Sequence, residues 1–168
     1  MLNLLRKSHQ RKLEGQKLYD GLVSRARETV FFRDFAVADS IDGRFDLLVF
    51  HAWMVLAELK AKGADQVAQG LTDMLFTGFD EAMREQGAGD MGLGRKMKSF
   101  ANAFYGRLSA YEQAASETEL AQALAKNLWR GAEPDARAQK LAAYAVQARQ
   151  RLRESLPGAL DFGLLPSI

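Results

Sequence analysis

Acidic and basic side chains cluster before a glycine-rich stretch, and they are the first candidates for acid–base or metal chemistry. They are Asp80, Glu81, Arg84, Glu85 and Asp90. The i,i+4 spacing of Asp80 with Arg84, and of Glu81 with Glu85, is typical of a solvated helix face with one ion pair. Nothing in this cluster pairs a nucleophile with a base. The cluster therefore predicts a helix surface and no catalytic residue.

Histidine and cysteine, the commonest ligands of transition metals, are scarce in this chain. It has no cysteine, so thiolate catalysis and thiolate metal sites are excluded. Its two histidines, His9 and His51, stand in neither an ExxH nor an HExxH spacing. His51 lies in an apolar stretch, and we expect a core histidine bonded to a backbone carbonyl or a carboxylate. We predict no metal site and no enzyme activity.

The glycine-rich stretch spells G-x-G-x-x-G over residues 87–92 and continues to Gly94. A dinucleotide site of that form needs a strand before it, whereas the pattern here is helical on both sides. The stretch therefore predicts a connection between two helices. Its glycines could serve as cap and turn. Alternatively, backbone N–H groups at the second helix start, together with Arg95, Lys96 and Lys98, could contact a phosphate or lipid headgroup.

Methionine and aromatic side chains surround this connection. Such surfaces adapt to varied apolar partners, although side chains deep in a helix can equally belong to the core. Met91 and Leu93 are expected to differ, because they fall in the predicted turn and cannot easily reach the core. We predict a groove for an apolar segment, formed by Phe79, Met83, Met91, Leu93, Met97, Phe104 and Tyr105.

Helical periodicity runs through the chain without strand alternation, which predicts an all-α fold, a single-domain bundle of about six helices. The predicted helices cover about 16–30, 44–62, 64–86, 94–114, 117–130 and the residues from just after Pro134 to 154. The second is apolar on most of its circumference and is expected at the centre. The segment 31–41 is expected to pin itself across the body through Phe31, Phe32, Phe35 and Val37. We divide the chain into a basic N-terminal arm (1–15), a helical domain (16–155) and an irregular C-terminal tail (156–168).

Positive charge is concentrated near the N-terminus. The net charge is only +2, so the molecule as a whole is no polyanion binder and we expect no DNA partner. The arm combines cations with interspersed leucines, and it could lie on an anionic membrane surface, touch ribosomal RNA or act as a solubilising tail. The most apolar run, 47–59, is shorter than the roughly 20 residues that a membrane span needs.

Three ordered motifs resemble the ubiquinol–cytochrome c chaperone family. They are DGRFDLLVFHAW (42–53), FDEAMREQGAGDMGLGRKMK (79–98) and NAFYGRLSAY (102–111), and the resemblance covers about residues 15–155. The positions that match are Asp42, Gly43, Arg44, Phe45, Asp46, His51, Asp80, Arg84, Gly87, Gly89, Asp90, Gly92, Gly94, Phe104, Tyr105, Gly106 and Arg107. One departure is Thr77-Gly78, where relatives often carry a polar or acidic pair; Gly78 is expected to bend the helix or to allow close packing.

The resemblance implies an all-helical, non-enzymatic assembly factor of respiratory complex III. Such a chaperone binds newly made cytochrome b near the membrane, usually with a small partner assembly factor. The client carries the haem, so no cofactor is expected in this chain. Its compact length is like that of a bacterial member, in the cytoplasm and peripheral to the inner membrane; the alternative is the mitochondrial matrix. The alternative function is an interaction module that uses the basic arm on a ribosome, RNA or a membrane surface.

Overall fold

The chain folds into a bundle of long helices, which confirms the predicted all-α class. The computed structural model describes residues 2–85, 87, 89–131 and 133–168, apart from the side chains of 2–8, 90 and 91. Six of its helices have 12 or more residues and one has 5, and no strand occurs in the described ranges. In chain order they are α1 (Leu2–Ala26), α2 (Thr29–Arg33), α3 (Ile41–Ala61), α4 (Asp65–Glu85), α5 (Asp90–Gln113), α6 (Glu117–Leu128) and α7 (Ala136–Ser155).

Helix α3 occupies the centre of the bundle, as its apolar circumference predicts. It packs against α1, α4, α5, α6 and α7. Its start is capped by Ser40, whose hydroxyl oxygen accepts a hydrogen bond from the Gly43 N–H at 3.1 Å. At its end Gly63 takes a left-handed φ of 66°, and the Ala64 N–H donates to the Leu59 carbonyl at 2.9 Å. A glycine in the left-handed region is a common helix end, because it has no Cβ to clash there.

Helix α1 begins at Leu2, whereas periodicity predicts a start at Gln16. The reason is tertiary: α1 lies along α4 with Gly15 against Gly70, so close that a Cβ at Gly15 would collide with the Gly70 backbone. Arg11 also pairs with Asp73 across the two helices at 3.5 Å. In the described part of the predicted arm, Gly15 and Arg11 thus contact α4, whereas His9, Gln10, Lys12 and Leu13 are exposed. Whether residues 1–15 act as a separate functional arm stays a prediction.

The connection between α1 and α3 crosses the helical body as expected. It contains the one-turn helix α2, and Phe31, Phe35 and Val37 in this connection are all buried. Phe32 is only partly buried and packs at the edge of the core. These aromatic residues hold the connection on the core although it has little regular structure of its own.

The C-terminal tail is irregular and packed. Leu156 and Phe162 are buried, and the Lys62 ammonium donates to the Leu156 carbonyl oxygen at 2.7 Å. The Arg25 guanidinium donates to the carbonyl oxygens of Gly163 and Leu164 at 3.0 and 2.7 Å. Arg25 of α1 and Lys62, the residue that follows α3, thus fasten a segment that lies outside the helices.

A buried polar network lies between α1, α3, α7 and the tail. The Nδ1 of His51 lies 2.7 Å from the Leu47 carbonyl oxygen, and its Nε2 lies 3.1 Å from the Tyr144 hydroxyl. Arg25 Nε donates to the same hydroxyl at 3.0 Å. The consistent assignment is a neutral His51 that donates from Nδ1 and accepts from Tyr144 at Nε2. Burial lowers the pKa of His51 to about 3, and the prediction of a core histidine is confirmed.

Candidate functional site

A cleft of about 710 Å³ opens between α1, α3, α4 and α5. Its floor is aromatic: Phe45 from α3, Phe79 from α4 and Phe100 from α5 meet with ring centroids 3.8 to 5.6 Å apart. The helical spacing that places each ring on the inner face of its helix also brings the three rings to one point. The cleft therefore presents preformed apolar surface between four helices.

The wall on the α1 side depends on Gly78. A Cβ there would collide with the Tyr19 hydroxyl, so the missing side chain lets the tyrosine lie directly on α4. Burial raises the pKa of Tyr19, which also lines the cleft. The expectation of close packing at Gly78 is confirmed, and this close approach shapes the cleft wall.

The rim of the cleft is rich in cations. Five basic residues line it together with one carboxylate, Asp42; they are Arg27, Arg44, Lys96, Arg107 and Arg130. They come from the residue that follows α1, from α3 and α5, and from the residue pair that follows α6. An apolar floor with a basic rim can take up an elongated apolar group that carries negative charge beside it.

Two of the rim arginines share one buried carboxylate. Asp46 is fully buried; its Oδ1 accepts from Arg107 Nε at 2.7 Å and its Oδ2 from Arg130 Nη1 at 2.6 Å. Burial raises the pKa of Asp46, and the two guanidinium groups oppose that rise. The Arg107 guanidinium also lies 5.0 Å from the centroid of the Phe45 ring. Asp46 thus fixes both arginines beside the aromatic floor.

The structure brings only part of the predicted groove into the cleft. Phe79 and Met83 line it, whereas Phe104 is fully buried in the core. Tyr105 is 54% exposed, outside the cleft lining, and its ring stacks on Phe76. A contact through Phe104 would require helices to separate, while Tyr105 is accessible on a different surface.

Helix α5 begins at Asp90, earlier than the glycine pattern predicts. The N–H groups of Gly92 and Leu93 both donate to the Gly89 carbonyl oxygen, at 2.9 and 3.0 Å. Leu93 therefore lies in a helical turn and is buried, so the expectation that it cannot reach the interior is wrong. Met91 is in the same turn, and its side chain lies outside the described residues.

The remaining predicted contacts divide in the same way. Lys96 lines the cleft, whereas Arg95 and Lys98 are exposed outside its lining. All three lie beyond the first turn of α5, away from the free N–H groups with which they are predicted to act. Met97 is partly buried and does not line the cleft.

The family-motif residues also separate by location. Asp42, Arg44, Phe45 and Arg107 line the cleft, with Asp46 beneath them. The other positions lie outside the cleft lining. His51 belongs to the buried polar network with Tyr144, and Asp80 and Arg84 form a 2.8 Å ion pair on α4. The glycines lie at or near α5: Gly87 has a φ of 81°, Gly89 is the N-cap of α5, and Gly92, Gly94 and Gly106 lie within it. The side chain of Asp90 is outside the described residues.

Several residues that line the cleft are absent from those predicted as contacts, Phe100 of the floor and three polar residues of the wall and rim among them. The three polar residues are Tyr19, Arg27 and Arg130. Tyr19 lies within α1, Arg27 directly follows that helix, and Arg130 is the second residue after α6. Only the packing of α1 on α4, and of α6 beside α3, places them together, so no local pattern in the sequence marks them.

Residues 33–158 match the family model for the ubiquinol–cytochrome c chaperone. The fold is similar to that of the Cbp3 homolog from Brucella abortus, known from a crystal structure, with a TM-score of 0.78 and 34% sequence identity. The match covers 96% of this chain and 93% of that one. Among curated proteins no significant match is found.

The fold and the cleft define an all-helical protein with an amphipathic groove. The matches then show that the chain belongs to the ubiquinol–cytochrome c chaperone family, as the three motifs predict. It is accordingly a chaperone of complex III assembly. In the described part of the chain, no helix is long and apolar enough to cross a membrane. Across those same residues, no cluster of three His, Cys, Asp or Glu side chains could hold a metal ion.

Proposed function

We propose that this protein binds newly synthesised cytochrome b and shields an apolar segment of it in the cleft during complex III assembly. The observation that carries the proposal is the open cleft with its floor of Phe45, Phe79 and Phe100. A membrane segment in water exposes a large apolar surface and is prone to aggregate until it inserts. An aromatic groove between helices is a surface to which such a segment can bind by its apolar side chains.

The size of the cleft limits what it holds. About 710 Å³ lies in the range of small ligand pockets and accommodates a few anchoring side chains. A complete membrane helix of roughly 20 residues is much larger. We therefore propose that the cleft grips a short stretch of cytochrome b, with Phe79 and Met83 as direct contacts. Tyr105 and Met97, which lie outside the cleft lining, would provide a second contact along α5.

The wider assignment follows from the same proposal. The protein acts by binding alone, without catalysis and without a cofactor of its own, and its client carries the haem. A small partner assembly factor would join the complex, and the protein would work in the bacterial cytoplasm at the face of the inner membrane. The helical content and the cleft support this role, and client capture tests it directly.

The test is a pull-down of the tagged full-length protein from gently solubilised cells of its source. We expect wild type to recover cytochrome b that is not yet part of the mature complex. Met83→Asp should reduce that recovery about 10-fold. Met83 is partly buried in the cleft, so an aspartate at this position would place its carboxylate against the apolar surface of the client. Val146→Asp is the matched control, since Val146 is 53% exposed on α7, outside the cleft lining.

Two results would contradict the proposal in different ways. Wild-type recovery without cytochrome b would reject the client. Equal losses in Met83→Asp and Val146→Asp would reject the cleft as its site. Recovery of ribosomes or membranes that disappears when residues 1–12 are deleted, and that falls steeply with added salt, would favour the alternative of a basic interaction arm.

A further inference from the structure

The cations on the cleft rim are unequal in their pairing. Arg44 pairs with Asp39 at 2.7 Å. Arg107 and Arg130 share the buried Asp46, and Arg130 also lies 3.9 Å from Asp42. Carboxylates of the chain itself therefore engage three of the five cations.

Arg27 and Lys96 are the exception. Both line the cleft and are exposed, and neither has a hydrogen bond or ion pair from its side chain within the described ranges. Glu81 and Asp20 are further carboxylates whose charge reaches Tyr19 in the cleft wall, and neither pairs with these two cations. Two positive charges, Arg27 just after α1 and Lys96 on α5, thus remain available beside the aromatic floor.

We infer that the cleft selects a client segment in which acidic residues flank a short apolar stretch. Its apolar side chains would lie on Phe45, Phe79 and Phe100, and its carboxylates would pair with Arg27 and Lys96. The inference rests on the proposed function, because it concerns the same cleft and names the chemistry of the bound segment. A segment flanked by basic residues would instead meet like charges on the rim, which disfavours its binding.

Charge complementarity favours a protein segment that carries dispersed carboxylates. The unpaired cations, one just after α1 and one on α5, lie at the edge of a floor built from three rings, so charge and apolar surface are adjacent. An amphipathic peptide presents carboxylates and apolar side chains in that alternating manner. An anionic lipid would instead concentrate its charge in one headgroup, and vesicles that contain such a lipid distinguish this ligand from a peptide.

The experiment compares two synthetic peptides with one shared apolar centre, flanked by glutamate in one and by lysine in the other. Binding to the full-length protein is measured by fluorescence anisotropy at low and at physiological ionic strength. We expect the glutamate peptide to bind about 10-fold more tightly at low salt. It would form two exposed ion pairs with Arg27 and Lys96, whereas the lysine peptide would be repelled by the same two cations. The preference should shrink as salt screens the exposed rim charges.

The double variant Arg27→Glu with Lys96→Glu should abolish or reverse the preference. Its matched control is Lys126→Glu with Lys140→Glu, which makes the same change in net charge at exposed positions on α6 and α7. The control should keep the preference of wild type. Because none of the four side chains makes a hydrogen bond or ion pair within the described residues, both double variants are expected to fold, which circular dichroism checks.

Each other outcome overturns the inference. Equal affinity for both peptides, with Met83→Asp weakening both, would leave the proposed cleft intact and reject its acidic selectivity. Loss of the preference in both double variants would assign it to overall charge. Binding of phosphatidylglycerol vesicles that depends on Arg27 and Lys96, without binding of either peptide, would assign the rim to lipid. Binding of neither probe rejects the inference, and recovery of cytochrome b in the pull-down then decides separately on the proposed function.

Discussion

Lowering the pH from 7 to 5 is expected to reduce the free energy of unfolding by about 2 kcal/mol through one buried side chain, His51. Burial is the main reason why the pKa of His51 falls from 6.5 to about 3. The hydrogen bond to the Leu47 carbonyl raises this pKa, and the positive charge of the nearby Arg25 lowers it. In the unfolded chain the imidazole takes up a proton as the pH falls through 6.5. In the folded protein it stays neutral until much lower pH.

The direction follows from proton binding. Between pH 6.5 and 3 the unfolded state binds more protons than the native state, so stability rises with pH in this window. The contribution of His51 is complete above its unfolded pKa and is lost as the pH falls toward the folded value. Restricting the comparison to pH 7 and 5 separates this effect from Asp135 and Asp161, whose lowered pKa values matter at more acidic pH.

Urea unfolding at pH 7, 6 and 5 measures this effect, with His51→Phe as the comparison. The variant places a ring among Phe31, Phe50 and Phe162, which already surround the imidazole with centroids 5.0 to 5.4 Å away. Its stability should be nearly independent of pH between 7 and 5. The ring signals of His51 in the wild-type NMR spectrum should not titrate above pH 5. The same pH slope in wild type and variant would contradict the assignment.

Helix α3 connects the two sides of the molecule. Its first turns carry Phe45 and Asp46 to the cleft, against α4 and α5. Farther along, His51 faces α7 and the tail through Tyr144 and Phe162. The cleft therefore stands on a helix whose other side is fixed by a buried network. A groove supported in this way keeps its shape while its rim remains open to a partner.

Periodicity was sufficient to predict most of the long helices. The bounds of α3, α4, α6 and α7 lie within a few residues of those predicted, because helical periodicity marks all four. In α3, α6 and α7 a Ser or Asp N-cap also marks the start. The two large differences involve glycine. Close packing of Gly15 on Gly70, which is distant in the sequence, accompanies the part of α1 that periodicity does not predict, and Gly92 belongs to the predicted connection but lies within α5.

The cleft was predictable only in part for a related reason. Phe79 and Met83 belong to a local stripe next to the glycine connection, so the sequence indicates them directly. Arg27 and Arg130 are distant in sequence from that connection and reach the cleft only through packing. Phe104 illustrates the converse, because a helical stripe does not distinguish a core ring from a surface ring without the positions of neighbouring helices.

Gly43→Ala is expected to lower stability by about 2 to 3 kcal/mol, the scale of overpacking in a well-packed site. Gly43 is buried in the first turn of α3, and a Cβ there would overlap the carbonyl oxygen of Ala38. Backbone has little room to yield, since Ala36 already holds a left-handed φ of 51° and Ser40 caps the helix. Thermal unfolding should show a Tm roughly 5 to 10 °C lower.

Gly94→Ala makes the same chemical change with the opposite expected sign. Gly94 lies within α5, and outside the backbone of its own helix no atom of the described residues lies within 4 Å of an added Cβ. Alanine there should raise stability by about 0.5 to 1 kcal/mol, because glycine is the poorer helix former. Both glycines match the family motif, so the pair separates a packing requirement from one of binding. Unchanged Tm in Gly43→Ala would refute the packing account, whereas a stabilised Gly94→Ala that recovers less cytochrome b would show that the bare α5 surface is needed for the client.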